Sequence, residues 1–91
     1  MPNTLTWTAN TEPDLKDYRV WRSIGGGAEV VIATVMKGTQ TYVDTDTTVD
    51  GVYSYSLTAR DSGNLESLHS VSVTKTVNTV PPSAPVGLSV V

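Results

Sequence analysis

The sequence predicts an all-β protein, an antiparallel β-sandwich of about seven short strands. Apolar residues alternate with polar ones at a period of two, which is the pattern of a strand with one buried face. Threonine, valine, serine and tyrosine dominate the strand candidates, and turn formers recur about every eight to twelve residues, as in a sandwich. No segment longer than a turn has the apolar spacing of a helix.

The N-terminal half contains four of the predicted strands. Leu5 and Trp7 alternate with threonines in the first strand, and Tyr18 and Val20 occupy alternate positions of the second. Three glycines at 25–27 predict a flexible hairpin turn before a β-branched third strand. The four predicted strands cover residues 4–8, 18–22, 29–35 and 41–43.

The C-terminal half has the clearest alternation in the chain. Tyr53, Tyr55, Leu57 and Ala59 occupy every second position of one strand. A tight turn follows at residues 61–64, and valines alternate again up to residue 77. Because 91 residues is the length of one domain, we predict that all of these strands belong to a single domain.

These residues closely resemble the fibronectin type III family over nearly the whole chain. The most specific match is to the family's F strand and F–G turn, in Tyr53-x-Tyr55-x-Leu57-x-Ala59-x-Asp61-x-x-Gly63. The other matches are Leu5-x-Trp7 to the B strand, Asp14-Leu15-x-x-Tyr18-x-Val20-Trp21-Arg22 to the B–C loop and C strand, Thr41-Tyr42-Val43-Asp44 to the E strand, and Ser67-x-x-Ser70 to the start of the G strand.

The resemblance implies a fibronectin type III / immunoglobulin-like antiparallel β-sandwich and the composition of its core. Two sheets are expected to pack ~10 Å apart. Tyr53 is placed for a tyrosine corner, in which its hydroxyl donates to the upstream backbone. The inward-facing residues implied are Trp7, Tyr18, Val20, Tyr55, Leu57 and Ala59.

The order of the strands departs from the family's pattern. The A-strand segment, Pro-x-x-Pro-x-x-Leu-x-Val, is expected before the B strand but is found at residues 82–90. We therefore predict a sandwich of strands B to G over residues 1–77, followed by a Pro-rich linker and A-strand-like arm over 78–91. The outer edge of the B strand is then unpaired, and an open edge is a docking site.

The arm has the pattern of a docking strand. Val86, Leu88 and Val90 alternate and can share one buried face, while Pro82 and Pro85 stiffen the approach. An eight-residue linker reaches at most ~26 Å, which makes completion of the chain's own sandwich strained. We therefore expect these five residues to bind a protein partner by strand addition, either a second copy or a virion protein.

Catalytic and metal sites are not expected. Ser67 and Ser70 flank His69, the only histidine, but a triad also needs a carboxylate that orients the imidazole. Asp44-x-Asp46-x-Thr48-x-Asp50-Gly51 has the alternate carboxylates of a calcium loop, yet its glycine is two residues late and position 55 is tyrosine where a glutamate belongs. We predict no enzyme activity, no metal and no cofactor.

Trp21 is the other candidate for partner binding. It should point opposite to Val20, outward from the core, where an exposed tryptophan can hold a protein partner or a sugar ring. The alternative is that its ring packs against Arg19 or a neighbouring strand.

The charge pattern argues against one class of partner and the hydropathy pattern against another. The net charge is −3, and six basic residues are scattered along the chain, so we predict no nucleic-acid binding. No apolar stretch is long enough to span a membrane, and no export signal is recognisable, so we predict no membrane partner. Without cysteine, neither a disulfide nor a thiolate site can form.

Two functions fit these expectations. The first is a small phage virion protein, such as a capsid decoration, tail or neck component, assembled in the host cytoplasm and docked through its arm and sheet edge. The alternative is a fibronectin type III spacer or carbohydrate-associated module of a larger secreted bacterial protein.

Overall fold

Six antiparallel strands make up the regular secondary structure of the described part of the chain. The computed structural model describes residues 2–78 and 81–90, and this part of the chain is all-β, as predicted. The strands are β1 (Asn3–Thr6), β2 (Leu15–Ile24), β3 (Val30–Met36), β4 (Thr41–Asp44), β5 (Gly51–Asp61) and β6 (Val73–Val77). The described part contains no helix with the length and apolar character needed to cross a bilayer.

The strands form two sheets. One contains β1 and β4, and the other has the order β3-β2-β5-β6. The predicted glycine turn joins β2 to β3, with φ of 60° at Gly25 and 78° at Gly26. Two successive positive φ angles match the right-handed twist of the flanking strands, and glycine adopts them without steric cost.

The core lies between the two sheets. Its buried apolar residues are Tyr18, Val20, Val35, Tyr53, Tyr55 and Val77. Trp7, Leu57 and Ala59 pack against this core, as expected of inward-facing residues, but all three are only half-buried. They border an open cavity on one side of the sandwich, where no described strand covers them.

The tyrosine corner is confirmed. Tyr53, near the start of β5, donates a hydrogen bond from its hydroxyl to the carbonyl oxygen of Val49 at 2.7 Å. This bond fixes the chain reversal that leads from β4 into β5.

Ser67 and Ser70, which precede β6, continue the pairing along β5. Their backbone N–H groups donate to the carbonyl oxygens of Ala59 and Leu57, both at 2.8 Å. In return, the N–H groups of Ala59 and Leu57 donate to the two serine hydroxyls, both at 2.9 Å. The serine hydroxyls thus replace carbonyl groups of a regular ladder, which explains the spacing of three residues.

The C-terminal arm lies apart from the sandwich. Every described residue from 81 to 90 is exposed and outside any strand. The molecule is 74 Å long and 24 Å across, whereas an eleven-residue strand such as β5 spans only ~36 Å. The arm accounts for much of the remaining length.

Candidate functional site

The outer edge of β1 presents unpaired backbone groups. β1 pairs with β4 in the register Asn3 to Asp44 through Thr6 to Thr41, and the N–H of Trp7 donates to Gln40 at 3.2 Å. Inward and outward hydrogen bonding alternates along an antiparallel strand. Thr4 and Thr6 therefore direct their N–H and C=O groups away from β4. No strand of the described chain lies on that side.

An apolar cleft opens beside this edge, between the two sheets. We call it the lateral cleft. Its lining comes from three segments of the chain: Leu5, Thr6 and Trp7; Tyr55, Ser56 and Leu57; and Ser70, Val71 and Val73. Its volume is about 190 Å³, more than the ~150 Å³ of an apolar cavity that accommodates benzene. The cleft has room for aliphatic side chains.

The lateral cleft continues along the side of the sandwich. A second cavity, also of about 190 Å³, shares Trp7, Leu57 and Ser70 with it. Two apolar side chains on the rim point into solvent, with Leu68 92% and Val71 90% exposed. A continuous apolar groove that follows an unpaired strand edge fits one extended peptide segment.

Two polar side-chain atoms along this edge also lack partners. The Oδ1 atom of Asn3, in β1, and the Nε1 atom of Trp7, the residue after β1 ends, are buried without a hydrogen bond in the described structure. Buried polar atoms in folded proteins are nearly always hydrogen-bonded. The backbone of β1 and the side chains of Asn3 and Trp7 therefore have unused hydrogen-bonding capacity.

The docking residues predicted from the sequence lie on the exposed arm and away from β1. Val86, Leu88 and Val90 are 95%, 96% and 95% exposed, and Pro82 and Pro85 are exposed as well. An apolar stripe with this exposure gains free energy from any contact that removes it from water. Their role in binding stays a prediction.

A buried ionic network ties the two sheets together next to the cleft. Arg22 of β2 donates to both carboxylate oxygens of Asp44 at 3.1 and 3.0 Å. The hydroxyl of Tyr55 donates to Asp44 at 2.6 Å and accepts from the Nδ2 atom of Asn3 at 2.9 Å. Burial and the hydrogen bond to Asp44 raise the pKa of Tyr55 to about 12. The sequence pattern did not reveal this network, because its members are distant in the chain.

The network determines what the acidic loop, the segment from Asp44 to Gly51, can bind. Both oxygens of Asp44 already accept hydrogen bonds, and Asp46 also contacts Arg22, at 3.4 Å. A calcium ion would have to compete with a guanidinium for the same oxygens, and like charges repel. The described residues contain no group of three or more ligands positioned around a common point.

Calcium is therefore expected to bind no more tightly than in the millimolar range. The test is a calorimetric titration of the protein with calcium chloride, with the Asp46→Ala variant as the control. A micromolar site that disappears in this variant would show that the acidic loop is a metal site.

Trp21 lies on the outer face of the four-stranded sheet, but its ring is covered. The imidazole of His69 packs on it with ring centroids 4.7 Å apart, and the guanidinium of Arg19 lies 5.7 Å from its centroid. The indole N–H donates to the hydroxyl of Thr58 at 3.0 Å. A sugar ring that stacked on Trp21 would first have to displace His69 or Arg19. Binding of a partner at Trp21 stays a prediction.

The surroundings of His69 do not form a proton relay. Ser56 lies 2.8 Å and Glu29 3.4 Å from the imidazole, and both contact the same atom, Nδ1. In a catalytic triad the serine and the acid occupy opposite ring nitrogens, so that one orients the ring while the other exchanges a proton. The flanking serines, Ser67 and Ser70, bond to β5 instead.

Two carboxylates at the other end of the sheet stabilise the fold in a pH-dependent way. Two hydrogen bonds from Arg60, both at 2.8 Å, hold the pKa of Asp17 below its ordinary value of 3.8, against the opposing effect of burial. A hydrogen bond from Thr58 at 2.5 Å, together with Arg19, holds the pKa of Glu66 below 4.5.

Acid is therefore expected to destabilise the protein. Since both pKa values are lower in the folded chain, the unfolded chain binds more protons in acid. This contribution to stability is complete above the ordinary pKa values and is lost as the pH falls through the lowered ones. Urea unfolding at pH 7 and pH 3 measures the loss, and Asp17→Asn should reduce it. Equal pH dependence in the variant would contradict the role of Asp17.

The described geometry defines a class of protein. Two antiparallel sheets with a tyrosine corner, the order β3-β2-β5-β6 and an opposing β1-β4 pair make an immunoglobulin-like β-sandwich module. No protein-family model and no curated protein matches the sequence.

Comparison with solved structures identifies the family. The chain is similar to a Fn3-like protein from Clostridium thermocellum whose crystal structure is known, with 31% sequence identity and a TM-score of 0.64. The match covers 80% of this chain and 73% of the other. The chain belongs to the fibronectin type III family, as the sequence resemblance implied.

Proposed function

We propose that the protein is a non-catalytic binding module that docks by strand addition at the outer edge of β1. The observation that carries the proposal is the coincidence of an unpaired edge with the lateral cleft. Backbone groups of Thr4 and Thr6 supply hydrogen bonds to an added strand, and the cleft accepts every second side chain of that strand. Edge and cleft together select an extended peptide with alternating apolar residues.

The arm of this chain has the chemistry of such a peptide. Its exposed Val86, Leu88 and Val90 alternate with Gly87 and Ser89, which are small and fit the solvent face of an edge strand. The arm and the edge are therefore the two complementary halves of one docking mode.

A peptide with the sequence of residues 82–90 provides the test. The recipient is the full chain carrying Leu88→Asp, whose own arm is disabled while its cleft is intact. We expect the peptide to shift the amide resonances of Thr4 and Thr6 and to change the fluorescence of Trp7. A peptide that itself carries Leu88→Asp is the matched control. Unchanged β1 resonances at saturating peptide would refute the docking mode.

We further propose that the module serves in the assembly of a phage virion, as a capsid decoration, tail or neck component. Assembly of a particle requires many copies of short, specific contacts, and strand addition meets this need without a large interface. Mass spectrometry of purified virions from cells that carry the gene tests this proposal. Consistent absence of the protein from the particles would exclude it.

The comparison with a bacterial Fn3-like protein favours the alternative, a spacer or carbohydrate-associated module within a larger secreted bacterial protein. In that setting the arm would add to the edge of an adjoining sandwich. Immunoblotting of cell and culture-medium fractions distinguishes the two settings, since only the alternative places the sequence in a larger extracellular polypeptide.

A further inference from the structure

We propose that the partner is a second copy of this chain: residues 86–90 of one molecule, carried by the linker of residues 78–85, fill the lateral cleft of the next as an added antiparallel strand beside β1. This inference rests on the proposed docking mode and commits it to one occupant. Its support is the position of the arm relative to its own cleft, the register that the two sequences allow, and the exposure of the arm.

The arm starts at the wrong end of the sandwich to fill its own cleft in an antiparallel sense. Val77, where β6 ends, pairs with Gly51 at the start of β5. Trp7 packs edge-on against Tyr18 at 5.4 Å, and Tyr18 pairs with Ala59 near the end of β5. An antiparallel strand beside β1 begins next to Trp7 and therefore at the far end of β5.

The linker can cover this path only when it is straight and almost fully extended. Eight residue steps of β5 lead from Gly51 to Ala59, a distance of ~26 Å along the strand. With the ~10 Å between the two sheets, the direct path is ~28 Å long. The nine steps from Val77 to Val86 reach ~30 Å when fully extended. The cleft of another molecule imposes no such limit on the arm.

The register follows from the alternation of both strands. Because Thr4 and Thr6 expose their backbone groups, the residues opposite them in the added strand must form the hydrogen-bonded pairs. Placing Gly87 opposite Thr6 makes these pairs and sets Leu88 opposite Leu5, which lines the cleft.

The same register uses the rest of the arm. Val86 falls opposite Trp7, and Ser89 falls opposite Thr4 with its side chain in solvent. Pro85 lacks an N–H donor and so ends the ladder where the arm enters the cleft. Gly87 has a φ of 79° in the exposed arm and must become extended on docking. Glycine makes this change at little steric cost.

Two variants of the full chain block the two halves of the contact. Leu88→Asp introduces a charge into the apolar cleft and should weaken self-association by at least about 100-fold. Thr6→Pro removes the N–H that faces the added strand but leaves the pairing of β1 with β4 intact. Ser89→Asp, on the solvent face, and Thr6→Ala, which keeps the N–H, are the matched controls.

Sedimentation velocity over a range of concentrations measures the effect. Wild type and both controls should associate as the concentration rises, whereas each blocked variant alone should stay a monomer. A mixture of the two blocked variants should form a one-to-one complex, since Leu88→Asp retains a working cleft and Thr6→Pro retains a working arm. A variant that had merely lost its fold could not restore this complex.

Three results would overturn the inference. The first is a wild-type protein that stays monomeric up to millimolar concentration, and the second is a mixture of the blocked variants that forms no complex. The third is a monomer whose melting temperature drops on Leu88→Asp, which would show that the arm fills its own cleft.

If the chain is monomeric but the peptide of residues 82–90 still shifts the resonances of Thr4 and Thr6, the docking mode stands and the second copy is excluded. If the peptide has no effect, both proposals fail.

Discussion

Replacing Tyr55 with alanine is expected to lower the free energy of unfolding by about 3–5 kcal/mol. Tyr55 is 3% exposed and its ring lies 6.5 Å from that of Tyr53, while its hydroxyl joins Asn3 to Asp44. Removing a buried aromatic side chain costs about 3–5 kcal/mol, and a small domain has about 5–15 kcal/mol in total. The expected loss is therefore a large part of the total free energy of unfolding.

Urea unfolding monitored by circular dichroism measures this loss. Tyr55→Phe is the matched control, because it keeps the ring and removes only the hydroxyl, at a cost of about 1–3 kcal/mol. Trp7→Ala provides a second comparison and should cost less than Tyr55→Ala, since Trp7 is half-buried and borders the lateral cleft. An unfolding midpoint of Tyr55→Ala equal to that of wild type would show that the core assignment is wrong.

Replacing Asp44 with alanine is expected to have an effect of similar size for an electrostatic reason. The carboxylate is almost wholly buried, with 3% of the side chain exposed, and its partner Arg22 is 12% exposed. Breaking a buried ion pair costs about 3–5 kcal/mol, and Arg22 would keep only the exposed Asp46 as a charged partner, at 3.4 Å. The hydroxyl of Tyr55 loses its acceptor in the same variant.

The control for this prediction is the removal of both charges. Asp44→Ala combined with Arg22→Met removes the guanidinium that has lost its buried partner and should recover part of the stability lost in Asp44→Ala alone. Chemical unfolding of the two single variants and the double variant gives the coupling between the residues. Strictly additive effects would contradict an ion pair as the source of the stability.

The strands were predictable because their signal is local. The alternation of Tyr53, Tyr55, Leu57 and Ala59 located β5, the three glycines located the turn after β2, and Tyr53 formed the corner that its position implied. Each of these features depends on residues within a few positions of one another, where side-chain periodicity and backbone preferences act directly. The family was recognisable for the same reason.

The position of the candidate site was partly predictable. The displaced segment at residues 82–90 indicated an unpaired edge, and the structure shows β1 without a neighbour on its outer side among the described strands. The depth of the cleft was not predictable, because it depends on how far Trp7 and Leu57 remain uncovered after the two sheets pack. That exposure is a property of three-dimensional packing and leaves no periodic signal.

The sequence by itself determined the fold class, most of the strands and the presence of a detached apolar segment, since period-two patterning specifies which face of each strand is buried. Only the tertiary structure decided which polar residues meet. Arg22 and Asp44 are far apart in the chain, yet they pair across the two sheets, and Asp44 thereby becomes part of an ion pair and not a free ligand of the acidic loop. The structure likewise placed His69 on Trp21. The physical reason is that pairing between distant residues depends on sheet order and register, which the whole core fixes and which no single segment contains.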